Sequence, residues 1–159
     1  MIDDSDRSVK SELDRLTTGF FRVVSFEEGV TPRYEDINGL FIEPGLLIKN
    51  TASPPEISTV AQFIEPRIRA VRAGHLTRFS EYELCETTQI FGNVAHRFSS
   101  YAKSGTLNGT SFTARGMIST QFVKTTEGWK ISAMAWDDER PSLSLPADYE
   151  PATAKAIER

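Results

Sequence analysis

The stretch EGWKISAMAWDDER, Glu127 to Arg140, sets two tryptophans seven residues apart on a strand-like run and follows them with acids. Trp136 reads either as core filler or as the wall of a pocket with acid and base groups at its rim. His96 alternates with Val94 and Phe98, a pattern that lets it face inward. A histidine titrates near neutral pH and is the default general base; the alternative is a hydrogen-bonded core histidine. His75 falls at a helix–strand junction and is expected in solvent. Tyr101 offers a hydrogen-bond donor and Arg115 a charged fork, the groups that polarise a carbonyl or hold a carboxylate. Arg115 paired with Asp138 or Glu139 is the structural alternative. Asp137 and Asp138 lie beside Glu139 and Arg140 and read as a solvated cluster, since a carboxylate base needs a place inside a cavity.

Other chemistries find little support. The two histidines are far apart in sequence and make no metal-ligand set, so no metal is expected. SGTLNG sits between strands rather than before a helix, so it is no phosphate loop, and no G-x-S-x-G occurs. No cofactor is expected. The single cysteine, Cys85, cannot form an internal disulfide and reads as an inert thiol in a strand. A net charge of -4 with scattered lysines and arginines argues against nucleic acid as a partner. The polar, acidic start lacks the pattern of a signal peptide, and no apolar run approaches the ~20 residues of a membrane span. The expected location is the cytoplasm, away from membranes.

The elements that must position these residues follow from periodicity. Val9, Leu13, Leu16, Phe20 and Val24 make one helical stripe over Ser5 to Glu28. YEDINGLF allows a short second helix, and EPGLLIKN a short strand. TASPPE is a loop, because adjacent prolines suit neither a helix interior nor a central strand. Thr59 and Gln62 form a capping-box pattern ahead of a helix that reaches Gly74, with a kink or break expected at Pro66. After Gly74 the period changes to that of strands: TRFSEYELCETTQIF, NVAHRFSSYAK, TSFTARGMISTQFVKT and WKISAMAW, separated by FGN, SGTLNG and TEG. Helices first and long adjacent strands second indicate an α+β domain over residues 1–140, its N-terminal helices packed on a mostly antiparallel sheet. Residues 141–159, rich in proline and charge, read as a C-terminal extension ordered by packing on a partner.

If Glu127 and Gly128 form the last turn, Ser119 faces Trp136, Gln121 faces Met134 and Val123 faces Ser132. Alternation then puts Arg115, Ser119, Gln121, Met134, Trp136 and Asp138 on one face, and Ile118, Phe122, Ile131, Ala133 and Ala135 on the other. The mixed face reads as a pocket wall, with Ser119, Gln121, Met134 and Trp136 binding a ligand, or as a solvated or dimer-facing surface.

FGNVAHRFSSY, RGMISTQFV and GWKISAMAWDDE, in this order behind the helices, resemble motifs of the nuclear transport factor two-like superfamily. The likeness is greatest to its SnoaL-like uncharacterised bacterial group. The resemblance covers about Ser5 to Arg140. It implies a cystatin-like cone, in which a strongly curved sheet wraps helices around an apolar cavity, and a homodimer formed through the sheet. It also implies a small apolar molecule as partner. Catalysis, if present, is cofactor-free acid–base chemistry of isomerase, cyclase or dehydratase type on a carbonyl-bearing or polycyclic substrate, with His96, Tyr101 and Arg115 as candidates. No inward aspartate stands where an isomerase-like base falls. The alternative is a non-catalytic ligand-binding or dimerisation module.

Overall fold

The computed structural model describes residues 4–152. The apolar stripe at the N-terminus folds as helix α1, Asp4–Val24, with Leu13, Leu16, Phe20, Phe21 and Val24 buried. It ends four residues before the expected limit because Ser25 turns the chain into the sheet. The Ser25 hydroxyl donates to Phe21 O at 2.7 Å and accepts from Glu81 N at 3.0 Å. Phe26 then bridges Phe79. A 3-10 helix, Tyr34–Gly39, follows and buries Tyr34 and Ile37.

Strands β1 (Phe41–Lys49) and β2 (Glu56–Thr59) flank the proline loop and lead into α2, Val60–Arg72. The capping box is present: the Thr59 hydroxyl accepts from Gln62 N, and the Gln62 side chain accepts from Thr59 N. Of the kink or break expected at Pro66, the break does not occur: α2 runs through it from Val60 to Arg72. Gln62, whose carbonyl loses its helical donor, is exposed, so solvent can satisfy that group.

The long strands are β3 (Leu76–Phe91), β4 (Val94–Leu107), β5 (Thr110–Thr125) and β6 (Gly128–Asp138). β4 runs through most of SGTLNG, leaving only Asn108 and Gly109 to turn. Sheet order is β2-β1-β6-β5-β4-β3, and β1–β6 is the one parallel pair. Bulges interrupt β1, β3 twice, and the β5–β6 ladder. Each adds local twist and bends its strand, which lets strands of up to 16 residues curl around the helices. α1 packs on β3 and β6, and α2 on β1 and β3. The fold is thus α+β, with helices on the inner face of a mixed, mostly antiparallel sheet.

The expected register of the last hairpin is corrected. Thr126 and Glu127 form the turn, since Thr125 pairs with Gly128, and Ser132 is extruded as a bulge between Ile131 and Ala133. Ile118 therefore faces Trp136, and Thr120 faces Met134. The inner face carries Gly116, Ile118, Thr120 and Phe122 with Trp129, Ile131, Met134 and Trp136. Ser119, Gln121, Ala133 and Ala135 lie on the outer face. The bulge changes the alternation within β6, so one tryptophan count from the turn cannot place both Trp129 and Trp136.

Of the expected C-terminal extension, residues 141–152 are described. They fold back over the outer face, where Leu145 is buried and the Tyr149 ring meets Phe98 edge-on at 5.5 Å. Residues 153–159 lie outside the described residues. Among the described residues no helix is long and apolar enough to cross a membrane.

Candidate functional site

Between α1, α2 and the inner sheet face lies a cavity of about 170 Å³. Phe20, Phe63, Phe79, Phe112, Ile118 and Trp136 supply apolar walls, and Tyr34, Lys49, Arg67, Glu81 and Lys103 supply the polar groups. The walls are positioned by packing: Trp136 meets Phe63 edge-on at 6.2 Å, and Phe79 lies 6.3 Å from Phe112. The Phe112 ring lies over Gly105, where a Cβ would come within 2.6 Å of it. A side chain there would displace the ring from the cavity wall.

Glu81 is the central acid. Ser25 pins its main chain to the end of α1, and alternation with Phe79 turns its side chain inward. It is half-buried and lines the cavity. Its carboxyl has no hydrogen bond or ion pair among the described residues. Burial raises its pKa to about 7; Lys103 and Arg67 oppose the rise, and Asp138 adds to it. Lys103 sits directly across the ladder from Glu81 and pairs with Asp138 at 2.9 Å. Asp138 also accepts from the Tyr101 hydroxyl, which in turn reaches Asp137 O at 3.0 Å. Gly116 makes this possible, because a Cβ there would stand 2.3 Å from the Tyr101 oxygen.

On the opposite side, Arg67 stacks 3.5 Å over the Phe63 ring centroid and donates to Phe63 O at 2.8 Å. Burial lowers its pKa, with Glu56, Tyr34 and Glu81 acting against that. Tyr34 is raised by burial, so its phenol stays a neutral donor. A second network lies apart from the cavity, near the β3–β4 turn. Arg97, 4% exposed, donates twice to Glu83 and once to Asp14, each at 2.6–2.9 Å. Burial disfavours its charge, but Glu83 and Asp14 outweigh that and hold its pKa above the usual value.

The residues anticipated from sequence are scattered by this geometry. Trp136 lines the cavity, and Tyr101 is fully buried behind it on the Asp138 carboxylate. Met134 is fully buried in the core. His96 is exposed on the outer face, where it shares a shallow depression with Phe98, Ser119 and Gln121. Its alternation with Val94 and Phe98 was correct, but that set faces out, because Ala95 and Arg97 are the buried ones. Arg115 holds Glu139 at 2.8 Å and Glu150 at 2.9 Å, also on the outer side. It does not pair with Asp138. His75 is exposed and Cys85 half-buried. Glu81, Lys103, Arg67 and Tyr34 were not anticipated. The readable signal was Arg67, one helical turn after Phe63; the inward turn of Glu81 depends on a β-bulge at Leu84 that alternation does not reveal. Among the described residues no three His, Cys, Asp or Glu side chains group as a metal site.

A bent sheet wrapped around helices, with a partly polar cavity between them, is a cystatin-like fold. No family model matches the sequence, and no curated protein is similar to it in sequence. Solved structures share its fold. A nuclear transport factor 2-like superfamily protein from Salmonella enterica subsp. enterica serovar Typhimurium aligns with a TM-score of 0.70 at 14% identity, over 90% of this chain and 99% of its own. A candidate dehydratase of the NTF2-like family from Streptomyces avermitilis aligns at 0.63 and 10% identity, over 84% and 97%. The association domain of C. elegans CaMKII aligns at 0.63 and 15% identity, over 84% and 98%.

Proposed function

We propose that this protein is a cofactor-free acid–base enzyme acting on a small, apolar, carbonyl-bearing molecule, with Glu81 as the base. The observation that carries the reading is Glu81 itself: an unpaired carboxyl bordering an aromatic-walled cavity, titrating near neutrality. A base poised near the working pH combines a useful ionised fraction with strong proton affinity. The Glu81 carboxylate takes a proton from the carbon beside the substrate carbonyl. The electron pair of that C–H bond moves into a C=C bond, and the carbonyl π pair moves onto its oxygen. Tyr34 hydroxyl and Lys103 ammonium are the donors available to the developing oxyanion. Where the substrate is a β,γ-unsaturated ketone, the enolate is conjugated with that C=C bond. The oxyanion re-forms the carbonyl, the double bond shifts to the α,β position, and Glu81 returns the proton to the γ-carbon, completing an isomerisation with no other reactant. A cavity of about 170 Å³ suits one ring rather than a polycycle, since an apolar cavity of ~150 Å³ accepts benzene.

The test is deuterium exchange. Monocyclic enolisable ketones are incubated with the protein in D2O, and the α-carbon is followed by NMR. Exchange above the blank is expected, rising with pH as a group near 7 ionises, and falling at least 100-fold in Glu81→Gln. Exchange no faster than the blank across the panel, or equally fast in the variant, would sink the assignment.

The neighbours' names point two ways, to a dehydratase and to an association domain. One observation favours the second: Phe91 (86% exposed), Val94 (47%) and Phe98 (41%) leave an apolar strip on the outer face. A second copy of the chain covering that strip is compatible with catalysis in the cavity. Sedimentation should then show a dimer that Val94→Glu weakens; a monomeric wild-type protein would remove this reading.

A further inference from the structure

The geometry points to a second feature of the same cavity: Arg67 makes it a receptor for a monocarboxylate carrying one apolar ring. This inference rests on reading the cavity as a small-molecule site, and it adds the charge of the ligand.

Arg67 differs from the arginines that sit in side-chain networks. Arg97 is held by three carboxylates and Arg115 by two. Arg67 lines the cavity, yet no carboxylate among the described residues comes within ion-pair distance, and its one hydrogen bond goes to the Phe63 carbonyl. Stacking on Phe63 fixes the plane of the guanidinium, so its remaining N–H groups are presented in a set direction. Arginine stays charged even where burial disfavours it. A half-buried, unpaired cation against aromatic walls is costly until an anion arrives. The guanidinium fork matches a carboxylate with two parallel hydrogen bonds.

The charge count selects a monoanion. Lys49, Arg67 and Lys103 line the cavity with three positive charges, and Glu81 lines it with one negative. Asp138 neutralises Lys103 from behind. Above pH 7, where Glu81 is ionised, three cations against Glu81 and Asp138 leave a net +1. The walls are aromatic, and the volume holds a single ring. A ring-bearing carboxylate fills both halves, with its ring against Trp136 and Phe63 and its charge on Arg67.

Calorimetric titration of the wild-type protein with benzoate and phenylacetate, against benzamide and phenylacetamide, tests this. The acids should bind at least 10-fold more tightly than the amides, with the preference shrinking as salt is added. Arg67→Met keeps an unbranched side chain over Phe63 and should abolish the preference while leaving amide binding in place. If that variant does not fold, the acid–amide ratio and its salt dependence in the wild-type protein decide alone. Equal binding of acid and amide, no binding of either, or an unchanged preference in folded Arg67→Met overturns the proposal. So does tighter binding of phenyl phosphate than of benzoate, which would contradict the single net charge. The titration needs no turnover. Arg67-dependent acid binding without deuterium exchange would keep the receptor and discard the enzyme; exchange without acid preference would do the reverse.

Discussion

Replacing Glu81 by glutamine should change how the stability of the protein depends on pH. An ordinary glutamate ionises near 4.5, the value the unfolded chain has, whereas Glu81 in the folded protein ionises near 7. Between these values the folded state holds a proton that the unfolded state has lost. Stability therefore falls as pH rises through that window and levels off above it. The gap from 4.5 to about 7 converts to about 3 kcal/mol, at about 1.4 kcal/mol per pH unit. Glutamine carries no titrating proton, so the Glu81→Gln protein lacks this slope. Urea unfolding of both proteins at pH 4.5 and pH 8.5 gives four free energies. The wild-type loss minus the variant loss should be about 3 kcal/mol. Every other titrating group is common to the two proteins and cancels, as does any fixed cost of placing an amide in the cavity. A difference below about 1 kcal/mol would mean that Glu81 is well solvated, and the case for it as a neutral-pH base would fall with it. The direction separates the two roles of this residue: the form that abstracts a proton is the form the fold tolerates least.

Three further substitutions probe the frame around the site. Arg97→Met should cost about 3 kcal/mol in urea unfolding, because it leaves Glu83 and Asp14 without their shared cation; a loss below about 1 kcal/mol would show the network to be neutral. Gly116→Ala should cost about 1–3 kcal/mol, read as a lower Tm, since a Cβ would press on Asp137 O and the Tyr101 hydroxyl. An unchanged Tm would place Tyr101 elsewhere. His96→Ala should leave stability within about 0.5 kcal/mol and exchange rates unaltered, since His96 is exposed on the face away from the cavity. A loss of turnover there would restore histidine as the base.

The architecture was readable because its signals are periodic and redundant. The stripe from Val9 to Val24 and the long β-rich runs each repeat one pattern many times, so a local irregularity does not hide the element. The site was not readable for the opposite reason: it depends on single-residue irregularities. Phe91 pairs with Val94 across the β3–β4 turn, and unbroken counting from there would set Glu81 against Ser104 on the outer face. The bulge at Leu84 moves the register by one, so that Glu81 meets Lys103 and turns inward. The bulge at Ser132 does the same for Trp136. Bulges carry no reliable residue signature, and each exchanges the faces of everything beyond it. His96 stood out by type alone, and Glu81 stood out by neither type nor spacing.

Glu81 and Glu83 give the sharpest contrast, because they lie two residues apart on one strand and one face. Glu83 receives two hydrogen bonds from Arg97 and one from the Ser99 hydroxyl at 2.7 Å, so its charge is fully met. Glu81 looks across the ladder at Lys103, but Lys103 is turned to Asp138, and Asp138 is held in turn by Tyr101. The cation that would have neutralised Glu81 is thus occupied by a neighbour, and the space beside its carboxyl is left to the cavity. A structural carboxylate and a reactive one differ here in what their cross-strand partners are already doing, and Gly116, by admitting Tyr101 to Asp138, is the smallest piece of sequence on which that difference turns.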